Sequence, residues 1–122
     1  SCDQRGANCL MRAAEFLIEA RPVVIDAGSY KINITDHVLQ RAEERQIALR
    51  NILLTLYKLD SITPQIQAND LEMGQGFWLQ DETNRISLLF KIINTTAHQV
   101  KLITVVRGRA VAASSMPIFK AK

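Results

Sequence analysis

The hydrophobic period changes once along this chain, and that change limits what it can fold into. Val38, Ala42, Leu49, Ile52, Leu53 and Leu56 project to one helical sector roughly 100° wide, the width of a core-facing helix. From Phe77 to Arg107 apolar and polar residues alternate instead, as they do in half-buried strands. Residues 77–80, 85–93 and 100–107 read as strands, separated by turn-forming runs at 81–84 and 94–99. Gly108 breaks the pattern, and 117–119 suits a short edge strand. Helices followed by strands predict an α+β fold, with N-terminal helices packed on one face of a three- to four-stranded antiparallel sheet. The other sheet face is then open for binding.

The rest of the chain fits around this frame. Asn8 is placed to cap a helix running to about Ala20, with Leu10, Ala13, Ala14, Leu17 and Ile18 on its apolar face. Pro22 ends it by pushing Arg21 out of the helical region. Val23-Val24-Ile25 reads as a strand or an extended linker, and residues 26–29 as a turn. Tyr30, Ile32 and Ile34 alternate with Lys31 and Asn33, as in a short strand. Thr35 or Asp36 then caps the main helix. This is either one helix to about Tyr57 or a pair broken near Gln46-Ile47, since Ile47 and Leu54 fall off the main face. Residues 60–75, with Pro64 and Gly74, form the longest expected loop. All 122 residues belong to a single domain, with flexible ends at 1–7 and 120–122.

Composition excludes several classes. Hydrophobic content of 48% and charged content of 22% exclude disorder. Aromatic content of 6% is too low for a single-strand binder built on many stacked bases. The net charge of +3 and pI near 9.1 permit an anionic partner without demanding one. The longest apolar run, Ser87-Leu88-Leu89-Phe90-Lys91-Ile92-Ile93, is too short to span a bilayer. Cys2 and Cys9 are expected to be free thiols in a reducing compartment. Scattered glycines make neither a phosphate loop nor a dinucleotide fingerprint, and no paired histidines or cysteines have metal-ligand spacing. No metal or other cofactor is expected.

The residues suited to phosphate chemistry cluster in Ile34-Thr35-Asp36-His37-Val38-Leu39-Gln40-Arg41-Ala42-Glu43-Glu44-Arg45. On a helix His37, Arg41 and Arg45 stack at i, i+4 and i+8, flanking the apolar sector. Helix flanks also carry arginine simply to cover apolar surface or to pair with carboxylates. On the last long strand Lys101, Ile103, Val105 and Arg107 share one face of an ideal strand. If Lys91, Lys101 and Arg107 meet on the open side, they make a basic patch. These parts suit metal-free work on an RNA phosphodiester. RNA carries its own nucleophile, the 2′-hydroxyl, so an enzyme adds an acid or base such as His and cations around the phosphorane.

The run from Ile34 to Ile47 resembles the His-x-x-x-Arg-x-x-x-Arg helix of toxin domains in the barnase–EndoU–colicin–RelE superfamily. That superfamily includes toxin–antitoxin ribonucleases and the C-terminal tips of contact-dependent growth inhibition and other polymorphic toxins. The segments 76–80, 86–93 and 101–107 are similar to its strands, so the resemblance covers roughly residues 30–107. The family usually has Gly before the Ile that follows this helix, and Ser or Thr after it; here Gln46 and Ala48 stand there.

The resemblance implies a metal-independent endoribonuclease toxin, with tRNA among the candidate substrates. It implies that His37 and Arg41 lie near the scissile phosphate as catalytic residues, with Arg45 supporting on the RNA, and that a strand residue such as Lys101, Thr104 or Arg107 completes the site. Lys91 and Arg107 of the basic patch would then join Arg45 on the RNA. Lys101 and Thr104 point to opposite faces of an ideal strand, so both reach one site only if the strand is bulged. The acid or base role of His37 stays open, as does any contribution from His98. The implied partner is a cognate immunity or antitoxin protein, expected to be acidic. The implied place of action is the cytoplasm of a target cell, after delivery as the C-terminal part of a secreted or cell-surface protein. The alternative is a non-catalytic protein- or nucleic-acid-binding module of the same fold.

Overall fold

The structure, a computed structural model, describes residues 23–110 and 116–121. The helix expected between Asn8 and Ala20, both cysteines and the 1–7 segment lie outside the described residues. Strands β1 (Val23–Ala27) and β2 (Tyr30–Ile34) form an antiparallel hairpin. Gly28 takes φ +60° in its two-residue loop, a backbone conformation that glycine adopts without cost. Helices α1 (Asp36–Glu44), α2 (Leu49–Leu56) and α3 (Leu59–Ala68) follow. Then come β3 (Gly76–Asp81), β4 (Ile86–Asn94), β5 (Gln99–Arg107) and β6 (Ile118–Ala121).

These strands make one six-stranded mixed sheet, in the order β1-β2-β5-β4-β3-β6. Strands β2 and β5 are parallel, as are β3 and β6, and the remaining neighbours are antiparallel. This corrects the expected three- to four-stranded antiparallel sheet with N-terminal helices. The described helices sit between strands in the chain, and the β1–β2 hairpin belongs to the same sheet as the C-terminal meander. The end expected to be flexible at 120–122 is strand as far as Ala121.

Of the two readings of residues 36–57, the structure has the pair of helices broken at Gln46-Ile47. Ile47 N–H reaches Ala42 O at 2.8 Å and Gln46 N–H reaches Glu43 O at 3.0 Å. This six-to-one and five-to-two pair is a Schellman ending, which needs a left-handed residue at its turn. Gln46 supplies it at φ 57°, in the place where glycine would be strain-free. Ala42 and Ile47 are both buried, giving the apolar contact that accompanies such an ending. The break rotates Leu49 out of the sector, and it is 50% exposed.

The loop expected over 60–75 is helical through Ala68. Pro64 and the polar residues around it suppress the local signal, but Leu59 and Ile62 are buried on one face and Ile66 packs beside them. Packing of that stripe overrides the proline, which removes one helical hydrogen bond.

The core lies between the helices and one sheet face. Val38, Ile52, Leu56, Leu59 and Ile62 meet Ile32, Phe77, Leu88, Phe90, Leu102 and Val105. Each large side chain buried there contributes about 1.5–3 kcal/mol. The second face is only partly open, because Trp78, Gln80 and Ser87 on it are also buried. Residues 108–110 turn back across it: Ser87 Oγ donates to Gly108 O at 2.6 Å, and Ala110 N–H to Gln80 Oε1 at 3.1 Å.

Asp81, at the end of β3, is fully buried. Burial alone would raise its pKa. Donors from Asn84, Lys58 and Thr55 outweigh that effect and hold the carboxyl below its usual value. Thr55 Oγ1 donates at 2.8 Å, Lys58 Nζ at 2.9 Å and Asn84 Nδ2 at 2.7 Å. The cluster pins the α2–α3 corner to the β3–β4 turn.

Asp81→Asn should therefore lower stability by about 3 kcal/mol, measured by urea denaturation at neutral pH. A depressed native pKa gives stability that is present above the unfolded carboxylate value and is lost as pH falls through the native one. The difference between wild type and Asp81→Asn should accordingly shrink as the medium is acidified below the ordinary carboxylate range. A second substitution tests the helix break. Gln46→Gly should raise the urea midpoint, by about 1 kcal/mol of stability, with an unchanged denaturant slope.

Candidate functional site

The sequence-predicted residues divide between two faces of β5, and a bulge decides which goes where. Leu89 opposes Thr104, but the next residue, Phe90, opposes Leu102. Ile103 is the extra residue, unpaired and 39% exposed. Beyond it the alternation is reversed. Lys101 and Thr104, on opposite faces of an ideal strand, therefore lie on the same face, opposite Lys91 and Leu89 respectively. Arg107 moves the other way, to the face of its partner Ile86, which is in the core. The expectation that Lys91, Lys101 and Arg107 meet on one side holds for the two lysines only.

Lys91 and Lys101 are direct cross-strand partners. Like charges placed opposite each other are destabilising. On the far side of Lys101 the neighbour is Asn33, and on the far side of Lys91 it is Gly76. No carboxylate of the described residues forms an ion pair with either lysine; the ion pair among these residues is Lys58–Asp81. A bound anion would relieve the repulsion.

Strand β2 pairs with β5 only as far as Lys101. Beyond that point α1 takes over the edge of β5, through Arg45 at its C-terminal end. Arg45 Nη1 donates to Val105 O at 2.6 Å and to Thr104 Oγ1 at 3.2 Å. The Thr104 oxygen accepts this bond, so its own O–H proton remains for another acceptor. Arg107 closes the same junction. Its Nε donates to Arg45 O at 2.9 Å and its Nη2 to Gln46 O at 2.6 Å. Those carbonyls end α1 and would otherwise lack partners.

Arg45 and Arg107, read from sequence as RNA contacts, are thus engaged with the protein's own acceptors. His37 and Arg41 are exposed on α1, stacked ahead of Arg45 at helical spacing. Their flank of α1 is the one that Arg45 extends toward Thr104. The structure brings Lys91, Lys101 and Thr104 onto the sheet face opposite the core; of the His37-Arg41-Arg45 stripe, it is Arg45 that reaches that face, at Thr104.

His98 lies elsewhere. It is in the β4–β5 turn at φ 50°, and it lines a cavity of about 850 Å³ on the helix side of the sheet. None of the other sequence-predicted site residues lines that cavity. Sequence reasoning did not find Ser29, Tyr30, Asp60 and Thr63, which meet His98 or each other there. Asp60 is 31 positions from Ser29, so no local pattern links them. The one local hint is Gly28, where any side chain would collide with the Asp60 carboxylate.

Among the described residues, no three of His, Cys, Asp and Glu gather closely enough to hold a metal ion. Among them also, no helix is long and apolar enough to cross a membrane. No protein-family model, curated protein or solved structure matches this chain.

Proposed function

We propose that this chain is a metal-independent endoribonuclease, working on the face that carries Lys91, Lys101 and Thr104 next to the His37-Arg41 flank of α1. The bulge at Ile103 is the observation that carries this reading. Without it, the amine and the hydroxyl would point to opposite sides of the sheet, and no single phosphate could meet both.

The chemistry divides among the residues as follows. The 2′-hydroxyl of the substrate attacks the adjacent phosphorus, and the 5′-oxygen of the next nucleotide leaves. His37 either takes the proton of the 2′-hydroxyl or supplies one to the leaving 5′-oxygen, and solvent water carries the other proton. Lys101, Lys91 and Arg41 offset the charge that accumulates on the phosphorane. Thr104, its oxygen held by Arg45, donates its O–H to a non-bridging phosphate oxygen. Arg45 is a positioning residue in this scheme, and Arg107 supports it by fixing the end of α1. The first products are a 2′,3′-cyclic phosphate and a free 5′-hydroxyl.

A surface that binds RNA by its phosphates gains affinity without sequence information. Preference for tRNA or any other species would then come from RNA shape. An exposed lysine pair of this kind also gives an acidic immunity or antitoxin protein a place to dock, which would cover the site. The same face could hold RNA without cutting it, as a binding module, and turnover separates these readings.

Purified chain incubated with total RNA and EDTA should yield discrete fragments ending in 2′,3′-cyclic phosphates. His37→Ala should lower the rate by about 10²–10⁴-fold while leaving the unfolding midpoint unchanged. Lys101→Ala should reduce both cleavage and RNA affinity, and the remaining affinity should depend less steeply on salt. RNA binding with no cleavage by the folded wild type would replace the enzyme reading with the binding-module one. Full activity in His37→Ala would remove His37 from the site.

A further inference from the structure

The cavity on the helix side of the sheet shares no residue with the lysine face, and its chemistry is opposite. Its floor is apolar, formed by Phe77, Ile92 and Val100 of the sheet. Among the described residues no lysine or arginine lines it, and Asp70 and Glu72 stand among its lining residues. A volume of about 850 Å³ is within the range of small-molecule sites.

At Thr63, Tyr30 and His98 the hydrogen bonds use up donors and leave acceptors. Thr63 Oγ1 donates to Leu59 O at 3.1 Å. Its single proton is then committed, so the Tyr30 hydroxyl, 2.7 Å away, is the donor in their contact. The phenol oxygen keeps its lone pairs. Burial raises the Tyr30 pKa above its ordinary value, which keeps the phenol protonated.

The same logic fixes His98. The Ser29 hydroxyl contacts the Asp60 carboxylate, which only accepts, so Ser29 O–H donates to Asp60. Ser29 Oγ must then accept from His98 Nδ1, which lies 3.3 Å away. An imidazole that donates from Nδ1 and carries no second proton presents Nε2 as an acceptor. The imidazole is stacked on the Tyr30 ring at 5.0 Å between centroids. Its backbone is held in the left-handed region at φ 50°, a conformation found mainly where surrounding structure enforces it.

We infer that this cavity binds a small protonated amine carrying an aromatic or branched aliphatic body. The apolar body would pack on Ile66, Leu71 and Met73, above the buried floor of Phe77, Ile92 and Val100. The ammonium would donate to Tyr30 Oη or His98 Nε2 and would be balanced by Asp70 and Glu72. Among the described lining residues an anion finds no cation and meets Asp70 and Glu72, so nucleotides and phosphates are disfavoured. This assignment is independent of the ribonuclease reading, whose residues lie outside the cavity.

The test is a titration of the whole chain, followed by backbone amide NMR, with 2-phenylethylamine and with its near-isostere 3-phenylpropionate. The amine should saturate shifts at Tyr30, Phe77 and His98 and bind at least about tenfold more tightly than the carboxylate. The double substitution Asp70→Asn with Glu72→Gln should weaken the amine by about tenfold or more without changing the fold. Asparagine suits position 70, whose φ is 53°. Equal or tighter binding of the carboxylate overturns the assignment. So does an amine affinity unchanged by the double substitution, or no saturable binding of the amine.

Discussion

One extra residue in one strand decides the character of this molecule. The pairing of β4 with β5 runs through the middle of the sheet, and Ile103 interrupts it. A regular strand would send Thr104 into the core with Leu102 and would leave Val105 outside. The bulge keeps Leu102 and Val105 buried together while turning Lys101 and Thr104 to the other side. It also aims Arg107 at the end of α1, where it binds the last carbonyls. The core packing of β5, the basic face and the capping of the α1 end by Arg107 all depend on the insertion at Ile103.

The junction between α1 and β5 answers a problem of exposed edges. Strand β2 covers only the first part of β5, and an uncovered strand edge invites pairing with another chain. Arg45 fills this role from the side by taking Val105 O and Thr104 Oγ1. An arginine side chain therefore does what a neighbouring strand would do, and it orients a hydroxyl at the same time. At the other end of the helical layer the charged groups behave differently. Asp81 is buried and fully engaged, whereas Lys91 and Lys101 face each other with no carboxylate of the described residues bonded to either. The first arrangement adds stability. The second subtracts from it, and such a cost is characteristic of binding sites.

Local pattern carried much of the fold. The strands at 77–80, 85–93 and 100–107 show in the alternation, and the β1–β2 hairpin shows in the Gly28-Ser29 turn. The parallel joins did not show, because β2 pairs with a strand more than sixty positions away and such contacts leave no periodic trace. Helix α3 was hidden by Pro64, although Leu59, Ile62 and Ile66 carry its buried stripe. Gln46 gave no sign of the left-handed turn it adopts, since glycine is the residue that ordinarily marks one. At the candidate site, helical spacing put His37, Arg41 and Arg45 on one helix, and the structure carries them on α1 and its C-cap. Strand spacing misplaced Arg107 because a bulge, with no sequence signature here, shifts the phase. The His98 cavity depends on contacts between Ser29, Asp60 and the β4–β5 turn that only the folded chain brings together.

The central claim is that Lys91 and Lys101 form an anion site held at a cost to the free protein. Thermal unfolding of wild type and Lys91→Gln, each with and without inorganic phosphate, tests it most directly. The account predicts that phosphate raises the wild-type midpoint by linkage. It predicts that Lys91→Gln unfolds slightly higher than wild type in the absence of phosphate, by a few tenths of a kcal/mol at roughly the scale of one cross-strand pair, and that phosphate then shifts it much less. A Lys91→Gln protein that is less stable than wild type, and that gains as much from phosphate, would contradict it.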